Sequence, residues 1–419
     1  MNSLIGIFDR RESEVRSYSR RWPAVFKRAL GSWLYAADGT PYLDFFAGAG
    51  ALNYGHNNAV LKAALMKYLE SDGITHALDM RTEASAALLE MLEEKILSPR
   101  GLDYRVVFPG PAGTNAVEAA LKLARRVTGR RQVVYFSNAF HGMTLGALSV
   151  NGNLEVRQSA GVPLTYSVEL PYDGASGEIP ALESLLESSA ADISDTAAVI
   201  VETIQGEGGI NVARKRWLRE LADVCCRHGI VLVVDDIQMG CGRAGAFFSF
   251  EDAEIEPDIV CLSKSISGYG FPMALTLIRP ELDVWKPAEH NGTFRGFSPA
   301  FVTAAEALRA YWSDDELERS TLDKADRVAV GLRQIATSYP EAGLVIRGRG
   351  LAWGLQALDR ESADHISTAA FQHGLLVETC GPNGEVVKLL PPLSVAGGDI
   401  ERALEILDAS VKSAVAGHA

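Results

Sequence analysis

The sequence predicts an α/β fold, with a large, mostly parallel sheet covered by helices and a smaller α+β domain built from both ends of the chain. Three observations predict it. Short β-branched runs alternate with helical runs through the middle of the chain. Both ends depart from that alternation, with turn-rich strands at one and long helices at the other. With 419 residues, 47% of them hydrophobic and 22% charged, the chain is also long enough for more than one unit with a sizeable core.

In chain order, residues 14–55 hold short strands around the Asp38–Gly39 turn. Arg105–Phe108 reads as a strand. A helix follows from about Asn115 to Val127, with Ala116, Ala119, Ala120, Leu123 and Ala124 at helical spacing. Gln132–Phe136, Ala197–Glu202 and Gly229–Asp236 read as buried strands, and Lys215–His228 between the last two as a helix. Asp258–Lys264 and Ala274–Ile278 are two further strands. Beyond residue 300 come a long helical pattern, a hairpin-type strand pair in GLVIRGRGLAWGLQ, and a final helix at Asp399–Val415. The expected division is 1–55 as the N-terminal part of the small domain, 56–300 as the large domain and 301–419 as the C-terminal small domain.

Charge and composition narrow the function. Forty Lys and Arg against 53 Asp and Glu leave a net charge of −13, which repels phosphate backbones and argues against nucleic acid as a partner. No run approaches the roughly 20 apolar residues of a membrane span. The apolar start of MNSLIGIFDRRESEVR is too short for a signal peptide, so a cytoplasmic location is expected. Five irregularly spaced cysteines fit neither a disulfide framework nor a zinc site, and no metal is expected.

Ligands of open parallel sheets bind beyond the carboxyl ends of strands. Four strand ends here carry polar groups: Asp235–Asp236, Lys264, Glu202, and Gly113–Thr114–Asn115 opening a helix. Taken singly, each has an ordinary explanation as a cap, a turn residue or a solvated charge. Together they suit a phosphorylated aldehyde cofactor. A lysine amine forms a Schiff base with a carbonyl, an acid keeps a pyridine nitrogen protonated, and a helix N-terminus holds a phosphate. Phe140, after a strand, is placed to cover a ring. The glycines of Gly348–Gly350 and Gly268–Gly270 do not follow the first strand of a βαβ unit, so a nicotinamide site is not supported.

These residues carry a family resemblance. VVDDIQMGCGRAG followed by SKSISGYGFP resembles the signature of the class III pyridoxal-phosphate aminotransferases of fold type I. GPAGTNAVEAALKLAR, FHGMT, ETIQGEGG, GTPYLDFFAGAGALNYGH, RGRGLAWG and KLLPPL resemble further family segments in the expected order, over nearly the whole chain. A narrower resemblance, in ESEVRSYSR, SDGITHALDM, LNYGH, NGTFRGF and RPELDVWKP, is to the diaminobutyrate–2-oxoglutarate aminotransferases of the ectoine-pathway type. The alternatives within the cofactor class are another ω-amine substrate (ornithine, 4-aminobutyrate or a secondary-metabolite intermediate) or a non-transaminating reaction.

The resemblance implies pyridoxal 5'-phosphate as cofactor, an amino donor and a 2-oxo acid as substrates, and a homodimer with a shared active site. It implies Lys264 as the Schiff-base lysine and proton-transfer base, and Asp235 as partner of the pyridine nitrogen. Ile237 and Phe140 would flank the ring, with His141 nearby. Gln238 would bond the ring hydroxyl, and Gly113 and Thr114 the phosphate. Thr293 would reach the phosphate from the neighbouring subunit. Glu202 and Glu207 match the two glutamates of the family's loop, and Asp236 is expected to be structural. In many relatives a loop glutamate pairs with an arginine that receives substrate carboxylate. The matching position here is Lys388, a point charge in place of a planar two-donor fork. Arg295 is a candidate for one carboxylate, or equally for an ion pair at the surface or interface.

Overall fold

A computed structural model describes residues 2–174, 178–187 and 195–418. Its centre is a seven-stranded sheet in the order Arg105–Val107, Leu275–Ile278, Ile259–Leu262, Val231–Asp235, Thr196–Val201, Gln132–Phe136 and Ser167–Leu170. Leu275–Ile278 runs antiparallel to both neighbours, and the next pairs along the sheet are parallel. The sheet is therefore mixed and mostly parallel.

The central strands are largely apolar because both faces are covered. Val134, Phe136, Val199, Val201, Leu232 and Val234 belong to one core cluster with Trp217, Leu218 and Leu221 of helix Lys215–His228. The alternate residues Val133, Tyr135, Ala198, Ile200, Val231 and Val233 belong to another, with Ala116, Val117, Ala120, Leu123 and Ala124 of helix Gly113–Thr128. Alternation along each strand sends successive side chains to opposite helices.

Several boundaries differ from the sequence reading. The helix expected from Asn115 begins at Gly113, because Asn115 folds back and its Oδ1 accepts from the Ala112 N–H at 3.0 Å. The strands expected to run to Asp236 and Lys264 end at Asp235 and Leu262, where the backbone turns into the site. The edge strand Ser167–Leu170 gave no signal in the sequence, being short and half polar.

The two ends of the chain meet. Phe26–Leu30, Trp33–Ala36 and Pro41–Asp44 form an antiparallel meander, and Leu375–Leu376 adds to it in parallel, with Leu375 opposite Leu43. A second four-stranded sheet orders Val345–Arg349, Ala352–Gln356, Val386–Leu389 and Glu378–Cys380. Helices Glu316–Ser338, Arg360–Gln372 and Gly397–His418 contribute to the core that includes Leu43, Phe45 and Leu355. No helix among the described residues is long and apolar enough to cross a membrane, and the five cysteines are free.

Arg243 ties these parts together. Fully buried, it donates from Nη1 to the Leu351 carbonyl at 2.9 Å and to the Pro391 carbonyl, and from Nη2 to Asn53 Oδ1 at 2.6 Å. Replacing it with leucine strands these acceptors in a dry interior, at roughly 1–3 kcal/mol each. Arg243→Leu is expected to lower the thermal unfolding midpoint by several degrees. An unchanged midpoint in a calorimetric scan would show that water replaces the guanidinium at little cost.

Candidate active site

Strand register assembles the site. In the parallel pair of central strands, Asp235 lies opposite Cys261, so the chain leaving each strand emerges on the same side. Lys264 follows in a short 3₁₀ turn with φ of 52°, a left-handed conformation that a side-chain-bearing residue adopts at a cost of order 1–3 kcal/mol. Its Nζ donates to the Ala49 carbonyl at 2.8 Å. Ser265 Oγ donates to the Gly50 carbonyl at 2.7 Å, so the turn and the 47–53 loop hold each other.

A cavity of about 180 Å³ is lined by Lys264, Asp235, Ile237, Gln238, Gly113, Thr114, Phe140, His141, Glu202 and Glu207, with Gly142, Ile204, Met239 and Ser263. Ten sequence-predicted residues therefore meet at one place. A larger chamber of about 660 Å³ adjoins it, sharing Phe140, Glu207 and Lys264 and adding Tyr18, Arg21 and the 379–384 turn.

The remaining three predicted residues are placed elsewhere. Thr293 and Arg295 lie outside this cavity in a short 3₁₀ turn, where the Thr293 carbonyl meets His76 Nε2 at 2.7 Å and Arg295 bonds the His290 carbonyl at 3.3 Å. Lys388 has no exposed surface and does not line the cavity, since Glu207 lies against it. Lys388 therefore stands as the partner of the loop glutamate Glu207, which lies between it and the cavity.

Burial sets the charges. His141 Nδ1 bonds Asp235 Oδ2 at 2.7 Å, and the Ile237 N–H donates to Asp235 Oδ1 at 3.2 Å. Burial works against a charged His141, but the bond and charge of Asp235 more than offset it and raise its pKa. Glu202 is pushed up to about 7 by burial, against the pull of His141. Its Oε2 accepts from the Phe140 N–H at 3.1 Å, which fixes the residue expected to cover a ring. Asp236, also pushed to about 7 by burial, accepts from the Ser249 N–H at 3.0 Å and from its hydroxyl, away from the cavity. Lys264 falls to about 8, chiefly through burial and with Lys388 adding to it.

The structure also supplies residues that the sequence reading missed. Glu378 Oε1 lies 3.0 Å from Lys388 Nζ, and Glu207 Oε1 lies 2.5 Å from the same nitrogen. Burial opposes the charge on Lys388, but the two carboxylates hold it well above its usual pKa. Glu207 is correspondingly held low, its burial outweighed by Lys388 and Lys264, while burial raises Glu378. Glu378 stands directly across the antiparallel ladder from Lys388. The signal that would have found it is a hairpin in ETCGPNGEVVK, whose Gly-Pro-Asn-Gly turn puts Glu378 opposite Lys388.

The aminotransferase class-III family matches residues 15–411, nearly the whole chain. The chain belongs to the class III aminotransferases. This aminotransferase is 56% identical to a diaminobutyrate–2-oxoglutarate transaminase of Nocardia farcinica, over 98% of this chain and 95% of that protein. It is 57% identical to one from Streptomyces anulatus, over 97% of this chain and 98% of that protein. Among solved structures it resembles the ornithine aminotransferase of Toxoplasma gondii, described with PLP at its active site, with a TM-score of 0.87 at 25% identity over 99% of this chain and 95% of that one.

Pyridoxal phosphate is the cofactor of the family, and the residues present fit it. His141 Nε2 and Gln238 Oε1 are buried polar atoms of two cavity-lining residues, and neither has a hydrogen-bond partner within the protein. Gly113 begins a helix whose first N–H groups have no intrahelical acceptor, and a Cβ there would sit 3.1 Å from two carbons of Ile237. A side chain at position 113 would therefore press on Ile237 in the cavity wall.

The depressed pKa of Lys264 has a kinetic consequence. Only the neutral amine attacks an aldehyde, and its fraction grows as pH rises through about 8. Capture of pyridoxal phosphate by cofactor-free protein is expected to accelerate about tenfold per pH unit below that point and to level above it. A stopped-flow profile that is flat through pH 8 would contradict it.

Proposed function

We propose that this chain transfers the terminal amino group between L-2,4-diaminobutyrate and 2-oxoglutarate, giving L-aspartate 4-semialdehyde and L-glutamate in two separate half-reactions. What carries the substrate reading is the likeness, at more than 50% identity over nearly the full chain, to proteins named for that reaction. The convergence of Lys264, Asp235 and the helix at Gly113 on one cavity supports the chemistry.

Bound there, pyridoxal phosphate supplies an electrophilic aldehyde and a ring able to accept the electrons left by proton removal. Lys264 would hold the cofactor through Nζ, and the same nitrogen is the group placed to move the substrate proton. Asp235, oriented by His141 and by the Ile237 N–H, keeps the ring nitrogen protonated. Ile237 and Phe140 would confine the ring, Gln238 would bond its hydroxyl, and Gly113 and Thr114 would donate to the phosphate, all of them lining the one cavity. Glu202 anchors the Phe140 backbone beside them.

We propose a homodimer in which Thr293 reaches the phosphate of the partner subunit's site and Arg295 offers a guanidinium to a substrate carboxylate there. Phe294 is 62% exposed between them, and it packs edge-on against His76 in a segment that also exposes Ile74, Leu78 and Met80. An exposed apolar patch of this kind fits an interface. A smaller unit built from both ends of the chain is supported by the parallel pairing of Leu375 with Leu43, but the boundary expected at 300 moves beyond helix Ser298–Tyr311, because Ala300, Phe301, Ala304 and Leu308 pack in the large core. Five free cysteines, four of them buried, fit a cytoplasmic enzyme.

The test is a half-reaction. L-2,4-diaminobutyrate alone should bleach the visible band of loaded enzyme, and 2-oxoglutarate should restore it. Bleaching by a different ω-amine only would discard the substrate and keep the family. Lys264→Ala should lose turnover by several orders of magnitude, and normal turnover would exclude the role given to Lys264.

Subunit mixing tests the dimer. If Thr293 acts across the interface, Lys264→Ala and Thr293→Ala subunits mixed by refolding rebuild one intact site per hybrid. About a quarter of wild-type activity should then return. Activity no greater than the sum of the two separate variants would place Thr293 within its own subunit's site.

A further inference from the structure

Lys388 occupies the position of a carboxylate-receiving arginine, yet it is fully buried and already has two carboxylates on its Nζ, Glu207 Oε1 at 2.5 Å and Glu378 Oε1 at 3.0 Å. The two acids differ in what they face. Glu378 is 3% exposed and sits across the strand ladder from Lys388. Glu207 keeps 31% of its side-chain exposure and lines the wall beside Lys264. It also accepts from Gln238 Nε2 at 3.2 Å.

A lone Glu207–Lys388 pair would tie Glu207 down, because its departure would strand a buried ammonium. Glu378 removes that constraint by keeping Lys388 paired whichever way Glu207 turns. The cluster then carries two carboxylates against one ammonium, and Glu207 is the member that reaches the cavity. Tyr18 lines the adjoining chamber together with Glu207 and bounds the cluster on that side.

We propose that Glu378 is a positioning residue that fixes Lys388 as a permanently paired cation and so converts Glu207 into a receptor for a second ammonium group on the amine donor. The chemical class selected is an amino acid bearing two amines: one reacts at Lys264, and the other is held by Glu207. This deepens the reading of the chain as a diaminobutyrate transaminase and rests on it for the reacting amine.

The experiment compares single-turnover bleaching of loaded enzyme by L-2,4-diaminobutyrate, L-ornithine and 4-aminobutyrate, the last of which lacks the second ammonium. Wild type should favour a diamine over 4-aminobutyrate. In Glu378→Gln that ratio should fall about tenfold or more, with the visible band intact and the L-glutamate half-reaction changed less. Glu378→Asp, which retains the charge, should recover most of the ratio.

A wild type indifferent to the second ammonium overturns the proposal. So does a Glu378→Gln variant whose ratio is unchanged, or whose rates fall equally with all amines. If wild type reacts with ornithine and not with diaminobutyrate, the substrate reading fails. The ornithine to 4-aminobutyrate ratio in the variant still decides the role of Glu378.

Discussion

The register between two central strands is the constraint on which the rest of the site depends. Val233 opposite Ile259, Val234 opposite Val260 and Asp235 opposite Cys261 bring the acid and the lysine to the same end of the sheet. A slip of one residue would turn Asp235 to the other face and into a helix. That slip is prevented by apolar side chains on both faces, since every residue of Val231–Asp235 and Ile259–Leu262 is buried. The core holds the strands together, and it also sets where the charged groups stand.

Removing these groups from water then determines how they behave. The same burial that raises Glu202 lowers Lys264 within one cavity, and it raises Asp236 behind the cavity wall as well. Asp235 has two fixed neighbours in His141 and the Ile237 N–H. Lys388 follows a different rule, staying charged because two carboxylates meet it. Lys264 and, in the segment that carries its acceptor, Ala47 and Ala49 all have positive φ, so both segments hold backbone strain. Surrounding hydrogen bonds from Ser265 and Asn53 hold that strain in place.

Much of the fold was legible because the parallel strands announce themselves as short apolar β-branched runs. The site was legible where its residues terminate such runs, as Asp235, Glu202 and Lys264 do. What escaped the reading lies in contacts that local pattern does not encode. The Ala49 carbonyl is a backbone acceptor more than two hundred residues from Lys264. Asn53 and Arg243 meet only in the folded chain. Lys388 was legible by position, but its burial behind Glu207 depends on Glu378, which looked like an ordinary strand residue. The edge strand Ser167–Leu170 was missed because an edge needs only one buried face and so carries a weaker pattern.

The meander at the beginning of the chain has an implication in time. Its last antiparallel strand, Pro41–Asp44, is flanked on its other side by Leu375–Leu376, which a ribosome delivers roughly 330 residues later. At about 5–20 residues per second, that interval is of the order of tens of seconds. During it Leu43, paired with Trp33 on one side, and Phe45, whose N–H later bonds the Leu376 carbonyl, lack the strand that completes the sheet on the other side. The nascent chain therefore carries an open sheet edge for most of its synthesis, and it is the stage at which a chaperone or a neighbouring ribosome's product has the longest access to it.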